Sequence, residues 1–443
     1  MGVVEKTEAR DMAIPAEIPE LSLKSAAAQE GLAWPDIFKF MLLFLCLSIG
    51  SVVTAWGQEE ETQEQQSPDS INETLERRDE LAYDPTRRSM FPESFRKLRQ
   101  LLYTWERRLG LEITFSYDAL AQQYSDEDQE MGGAAGDAAL SGRWLLFGSK
   151  YHRPNYLAFR FRSRHAYTED TPADIASENG MLWGTVDGFN DAGFQIPSLY
   201  FSQELHNGDL ILRYGQFSID NFVDSHSLRS AKRFFLNEAF SENPTVNFPS
   251  YGAGFLGEWK YGDRFDLTFG GSNIQGLDQD RQVDFNLTSS ALFMAIQGSL
   301  RFAGLGGRNA RIQGMGWYSD AIPEDDIARG QGFSITVEQQ GEQEGEQVVL
   351  RYAASGGEST NTRELFFMGY GKAIRTYDHW GVGLSIGRFS VASDWQGVLE
   401  TYYRWQVTKE LMITPDLQLI TNRSLDETKG FRFVAGLRMG ITF

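Results

Sequence analysis

A single cysteine, Cys46, stands in the 443 residues, and it falls inside the most apolar run of the chain, residues 40–49. Beyond that run there is no thiol, so disulfide frameworks and thiolate metal sites are excluded. Phe44 and Leu45 before the cysteine also do not suit a lipoprotein site, which needs small residues there. Long hydrophobic runs are lacking too: this one holds about ten residues, short of the ~20 that a spanning helix needs. Five histidines, His152, His165, His206, His226 and His379, show no HExxH spacing. The cluster Gly304-Leu305-Gly306-Gly307 has neither the lysine nor the following helix of a phosphate cradle. Asp325-Asp326 and the acidic run 342–346 read as solvated loops. No catalytic constellation and no cofactor site is therefore expected. Bases are short as well, 41 against 61 acids for a net charge of −20, which argues against nucleic acid as a partner.

What the chain has in quantity is glycine (44), phenylalanine (31), tyrosine (17) and tryptophan (10), against only 13 prolines. That balance suits many strands with aromatic girdles and short turns. The mean hydropathy of −0.37 is no objection, because a strand that alternates lipid-facing and water-facing residues averages to a modest value. The final residues show the alternation best. Phe431, Phe433, Ala435, Leu437, Met439, Ile441 and Phe443 share one face, and Arg432, Val434, Gly436, Arg438, Gly440 and Thr442 the other. An apolar face running to the last residue needs a greasy partner, and the opposite face needs water behind it. A barrel wall between lipid and a wet lumen supplies both; an edge strand of a soluble sheet is the plainer alternative.

Four segments follow from the composition. Residues 1–57 read as a signal peptide with an atypical N-terminal extension, cleaved after Ala55 or Gly57, with an uncleaved anchor as the alternative. Taking away residues 1–55, with seven acids and four bases, leaves −17. Residues 58–91 are polar and read as a linker. Residues 92–109 carry Phe95, Leu98, Leu101, Leu102, Trp105 and Leu109 at helical spacing behind Pro92, which predicts a short helix at the periplasmic side. From 110 to 443 the period is two, in sixteen segments from about 111–122 to 431–443. The expected fold is all-β: a transmembrane antiparallel up-and-down barrel of about 16 strands with a short N-terminal helix.

A wet lumen is where chemistry is expected. On 155–165, Arg160, Arg162 and Arg164 oppose Leu157, Phe159 and Phe161, and three arginines on one face cannot be core. The same alternation assigns Arg213, Glu258, Lys260, Glu400, Arg404, Asp416 and Gln418 to the pore wall. The long connection 218–250 interleaves charged and aromatic residues, and Asp220, Asp224, Arg229, Arg233 and Phe235 are its candidates for a constriction. These polar groups could hydrogen-bond a hydroxylated solute, or simply keep a pore wall hydrated.

Two blocks point to a family. Residues 208–217, followed by Phe235-Leu236-Asn237-Glu238-Ala239-Phe240, Asn243-Pro244-Thr245-Val246 and Pro249-Ser250-Tyr251-Gly252-Ala253-Gly254, resemble the carbohydrate-selective outer-membrane porins of the OprB type. Residues 400–408 with Thr414-Pro415-Asp416-Leu417-Gln418 resemble that family's penultimate hairpin. The resemblance implies facilitated diffusion of monosaccharides and related small solutes through a Gram-negative outer membrane. Its implied partners are small carbohydrates, outer-membrane lipid and lipopolysaccharide, and the barrel-assembly machinery, which would read the aromatic-ended last strand. A homotrimer and a monomer both stay open. A non-selective general porin is the alternative, ahead of a barrel enzyme or a soluble secreted glycan-binding protein.

Overall fold

The computed structural model describes residues 67–83, 87–125, 130–149, 152–274, 283, 291–322, 328–343, 345–357, 359–390, 395–421 and 431–443. The expected leader, 1–57, lies outside the described residues. Among those described, no helix is long and apolar enough to cross a membrane, which bears only on helices.

Sixteen antiparallel strands close into one barrel in sequence order. They are β1 (Leu111–Ser125), β2 (Glu130–Ser149), β3 (His152–Ala166), β4 (Gly193–Leu205), β5 (Leu210–Phe217) and β6 (Gly252–Tyr261). Then follow β7 (Phe265–Asn273), β8 (Leu292–Ala303), β9 (Asn309–Ser319), β10 (Gly330–Gln340) and β11 (Glu346–Gly357). The last are β12 (Thr362–Ala373), β13 (His379–Phe389), β14 (Trp395–Gln406), β15 (Leu411–Thr421) and β16 (Phe431–Thr442). Each lies within a few residues of its expected segment. Closure runs from Ser116↔Thr442 to Ser125↔Phe433. At the seam Phe115 and Phe443 exchange backbone bonds of 2.8 and 3.0 Å, so the last residue is held in the wall.

Connections at the end carrying both barrel termini are short, such as 206–209 and 262–264, and the longest, 167–192 and 218–251, lie at the other. The outside of the wall is apolar: Ile296 is 57 % exposed and Leu437 56 %. The inside is polar and covered: Glu400 and Arg438 are fully buried. A water-soluble monomer rarely carries an apolar surface this continuous, and lipid removes the penalty.

Among the described residues, two helices precede the barrel. Helix α1 (Ile71–Tyr83) forms within the stretch expected to be a linker. Its polar composition concealed a stripe of Ile71, Leu75 and Leu81, all buried. The helix is held from inside the wall: Arg78 donates to the Ile113 carbonyl at 2.6 Å, and Arg143 to Asn72 Oδ1 at 3.0 Å. Helix α2 (Pro92–Leu109) has the boundaries read from sequence. It ends at Gly110 with φ 67°, where a Cβ would stand 2.9 Å from that of Leu145, so only glycine fits the turn into β1.

Candidate functional site

Two long connections fold inward rather than away. The larger, 218–251, contains a short helix at Glu238–Ser241, N-capped by Asn237, whose side chain accepts from Ala239 N–H at 3.0 Å. Phe235 and Phe240 are fully buried against Phe367 and Tyr402, at centroid separations of 5.0 Å for Phe235–Tyr402 and 5.3 Å for Phe240–Phe367. They can approach so closely because the wall beneath is bare. A Cβ on Gly383 would come within 2.8 Å of Phe240 and 3.1 Å of Phe235, and one on Gly369 within 2.7 Å of Phe367. The smaller connection, 167–192, adds Trp183, whose ring N–H donates to Thr362 Oγ1 at 2.9 Å. Gly184 N–H donates to Glu238 Oε2 at 2.7 Å, joining the two loops.

Charged wall residues then tie the larger loop down. The Glu400 carboxylate accepts from the N–H groups of Leu236 and of Asn237, the latter at 3.0 Å. Asn237 donates to Gln418 at 3.0 Å, and Gln418 to the Thr185 carbonyl at 2.8 Å. Arg351 donates to the Asp224 carbonyl at 2.7 Å and the Glu242 carbonyl at 3.0 Å. Arg438 donates to the carbonyls of Ala231 and Phe234. Buried charges are stable here because each has a partner.

With one side of the interior filled, the open space lies against β1 to β4, as a cavity of about 410 Å³. Small-molecule sites fall at roughly 300–1,000 Å³. Arg160, Arg162 and Arg164 form a ladder on one wall. Arg160 bonds Ser141 Oγ at 2.9 Å and the Asp69 carbonyl at 2.7 Å, and Arg164 meets Asp137 at 3.2 Å. Arg162 bonds Gln195 at 3.0 Å and lies 5.2 Å from the centre of the Tyr251 ring. The loop presents Asp220 paired with Arg229 at 2.7 Å, together with Arg233. Lys232 reaches across to Asp118 and Asp137 at 3.4 and 3.3 Å. Two atoms of this wall, Arg162 Nε and Asp137 Oδ1, have no hydrogen-bond partner among the described residues.

Thus the arginine ladder, Asp220, Arg229 and Arg233 come together at the cavity. Glu400, Asp416, Gln418, Arg213 and Glu258, expected on the open wall, face inward but are closed off from it, the first and third by the loop they anchor. Arg213 pairs with Glu258 at 2.6 Å beside Phe222. Arg404 lies against the Phe234 ring at 5.1 Å and bonds the Arg233 carbonyl, outside the cavity. Lys260 is half-buried at the turn end. Asp224 is fully buried, accepting from Ser334 at 2.6 Å and Asn243 at 2.7 Å, and Phe235 is core. Alternation shows which way a side chain points but not what covers it. Asp118, Asp137, Asp187 and Glu242 were missed, as were Asp69 and Arg77 from the N-terminal segment. The inward series Glu112, Thr114, Ser116, Asp118 on β1 was a readable signal for the first of these.

Three loop carboxylates are hard to ionise. Burial is the main cause of the upward push on Glu238, to about 7, opposed by the Gly184 N–H and reinforced by Asp187. Glu242 is raised well above the usual range, first by Asp187 and then by burial. Asp187 is itself raised by burial, against the pull of Arg164.

Residues 366–443 match the family model described as carbohydrate-selective porin, OprB family. A search of curated proteins finds no sequence match. Among solved structures, the high-pH form of Pseudomonas putida OprB aligns with a TM-score of 0.64 at 14 % identity, over 81 % of this chain and 99 % of that one. Its low-pH form aligns with a TM-score of 0.52 at 15 % identity, over 81 % and 100 %. An anion-selective porin from Comamonas acidovorans aligns at 10 % identity, over 75 % and 99 %, with a TM-score of 0.45. The resemblance read from the sequence therefore stands: the last strands of this chain match the carbohydrate-selective OprB porin family, and its barrel has the fold of OprB from Pseudomonas putida.

Proposed function

We propose that this chain is an outer-membrane porin through which small carbohydrates diffuse down their gradients. The observation that carries the reading is the cavity of about 410 Å³ bounded by Arg160, Arg162 and Arg164 on one side and by the loop's Asp220, Arg229 and Lys232 on the other. A sugar offers alternating donor and acceptor hydroxyls. Guanidinium N–H groups and carboxylate oxygens along the cavity supply the complementary set. Holding must be weak for transit; a dissociation constant of ~1 mM, about 4 kcal/mol, is near the tight limit that still lets solute leave quickly. No covalent step is needed. The further parts of this reading are export by a cleaved leader, assembly through the Phe443-ended strand, and a lipid and lipopolysaccharide surround.

The test is planar-bilayer conductance of the refolded chain titrated with neutral mono- and disaccharides, alongside Arg162→Gln. Saturable block by a monosaccharide, weakened several-fold by the substitution, supports the reading. Conductance indifferent to every sugar sinks selectivity and leaves a general porin.

A further inference from the structure

Helix α2 presents three faces. One meets the barrel mouth: Arg99 pairs with Glu410 at 3.1 Å, Tyr103 lies 6.0 Å from Tyr83, and Phe95 lies 5.0 Å from Phe443. A second is polar, with Arg96 paired to Glu93 at 2.8 Å. The third is apolar and uncovered: Phe91, Leu101, Trp105 and Leu109 are 57, 46, 36 and 55 % exposed. Helical spacing puts Lys97 and Arg108 beside Leu101 on the border of that face. Both are exposed, and neither has an ion-pair partner among the described residues.

The uncovered face continues into the barrel's apolar belt. Phe443 lies 5.2 Å from Phe115, which points outward on β1, and the outward-facing Trp144 donates its ring N–H to the Leu109 carbonyl at 2.9 Å. The helix is also basic, with five lysines and arginines against two acids, on a chain of net charge −20. An apolar stripe edged by cations and continuous with a lipid-facing wall has the chemistry of a helix lying in a membrane interface. Its 18 residues extend ~27 Å along the rim.

We propose that α2 is an interfacial anchor, laying Leu101, Trp105 and Leu109 into the phospholipid surface at the turn end while Lys97 and Arg108 meet anionic headgroups. This rests on the membrane-barrel reading above, and the experiment separates the two. The full chain, with Cys46→Ser, carries one cysteine at Leu101→Cys or, as a reference, at Leu437→Cys on the outer wall. Each is labelled with an environment-sensitive fluorophore and reconstituted in nanodiscs of phosphatidylcholine, with or without phosphatidylglycerol, containing brominated acyl chains. Heat-modifiable migration on a gel confirms that each variant forms the barrel. The expected result is lipid quenching at both positions. At 101 it strengthens with phosphatidylglycerol, and Lys97→Glu with Arg108→Glu shifts the docked-to-undocked ratio by at least roughly thirty-fold. Quenching at 437 with a water-exposed label at 101 overturns the anchor and leaves the barrel standing. A label at 101 shielded from both water and bromine overturns it in favour of a protein partner. Quenching at 101 that ignores lipid charge and charge reversal overturns the headgroup contact. Loss of quenching at 437 overturns the membrane barrel itself.

Discussion

Replacing Glu400 with alanine takes away the acceptor of two amide protons, those of Leu236 and Asn237, at a site fully shielded from water. A buried donor left without a partner costs about 1–3 kcal/mol, so two cost about 2–6 kcal/mol. The loop's local opening equilibrium then shifts by roughly 30-fold to 25,000-fold. Hydrogen exchange reads this directly: in micelles, protection of residues 234–242 should fall by that factor while strands β12 to β16 keep theirs. Glu400→Gln retains one acceptor oxygen and should lose about half as much free energy. The same variants should show larger and flickering single-channel conductance as the released loop moves. If protection over 234–242 changes less than about threefold in Glu400→Ala while the barrel migrates natively, the anchoring argument is wrong.

Four further outcomes follow from the same geometry. Gly383→Val drives carbon into Phe235 and Phe240; a strain of about 1–3 kcal/mol should loosen the loop and raise conductance without touching a polar anchor. Lys232→Met removes the cation between Asp118 and Asp137, so reversal potentials in a salt gradient should move toward cation selectivity. Glu238, raised to about 7 in the folded loop, favours docking most below pH ~4.5, and that contribution is lost as pH rises through about 7. Channel opening should therefore increase between pH 5 and 8, and Glu238→Gln should flatten the profile. Deleting residues 67–83 removes α1 with its Arg77, and Asp69 before it, from the inside of the barrel, and conductance should increase.

The barrel was legible because lipid forces a simple rule on its wall: apolar at every second position, with no exceptions over Phe431 to Met439 on the outward face. The glycines at Gly381, Gly383 and Gly387 were visible too, yet their meaning was not. A glycine pointing into a wide pore has no purpose; under Phe235 and Trp183 it makes room. The division of the lumen could not be read because Glu400 and Arg162 carry the same local signature. One binds a loop and the other faces open space, and only long-range packing decides which. Helix α1 was hidden by Asn, Glu and Arg, whose presence outweighed three apolar residues at helical spacing.

The ties of the larger loop also say something about the order in which this molecule is made. Glu400, Gln418, Arg438 and Arg351 all follow the loop in sequence. Several sit on the last three strands, and β16 must still find β1 more than three hundred residues away. Such long-range pairing is slow. Until it happens the loop lacks its full set of ties, Arg438 among them, so the passage through this protein reaches its working width only at the final act of assembly. A half-built wall is simply wide, and the narrow passage is itself a sign that the ring has closed.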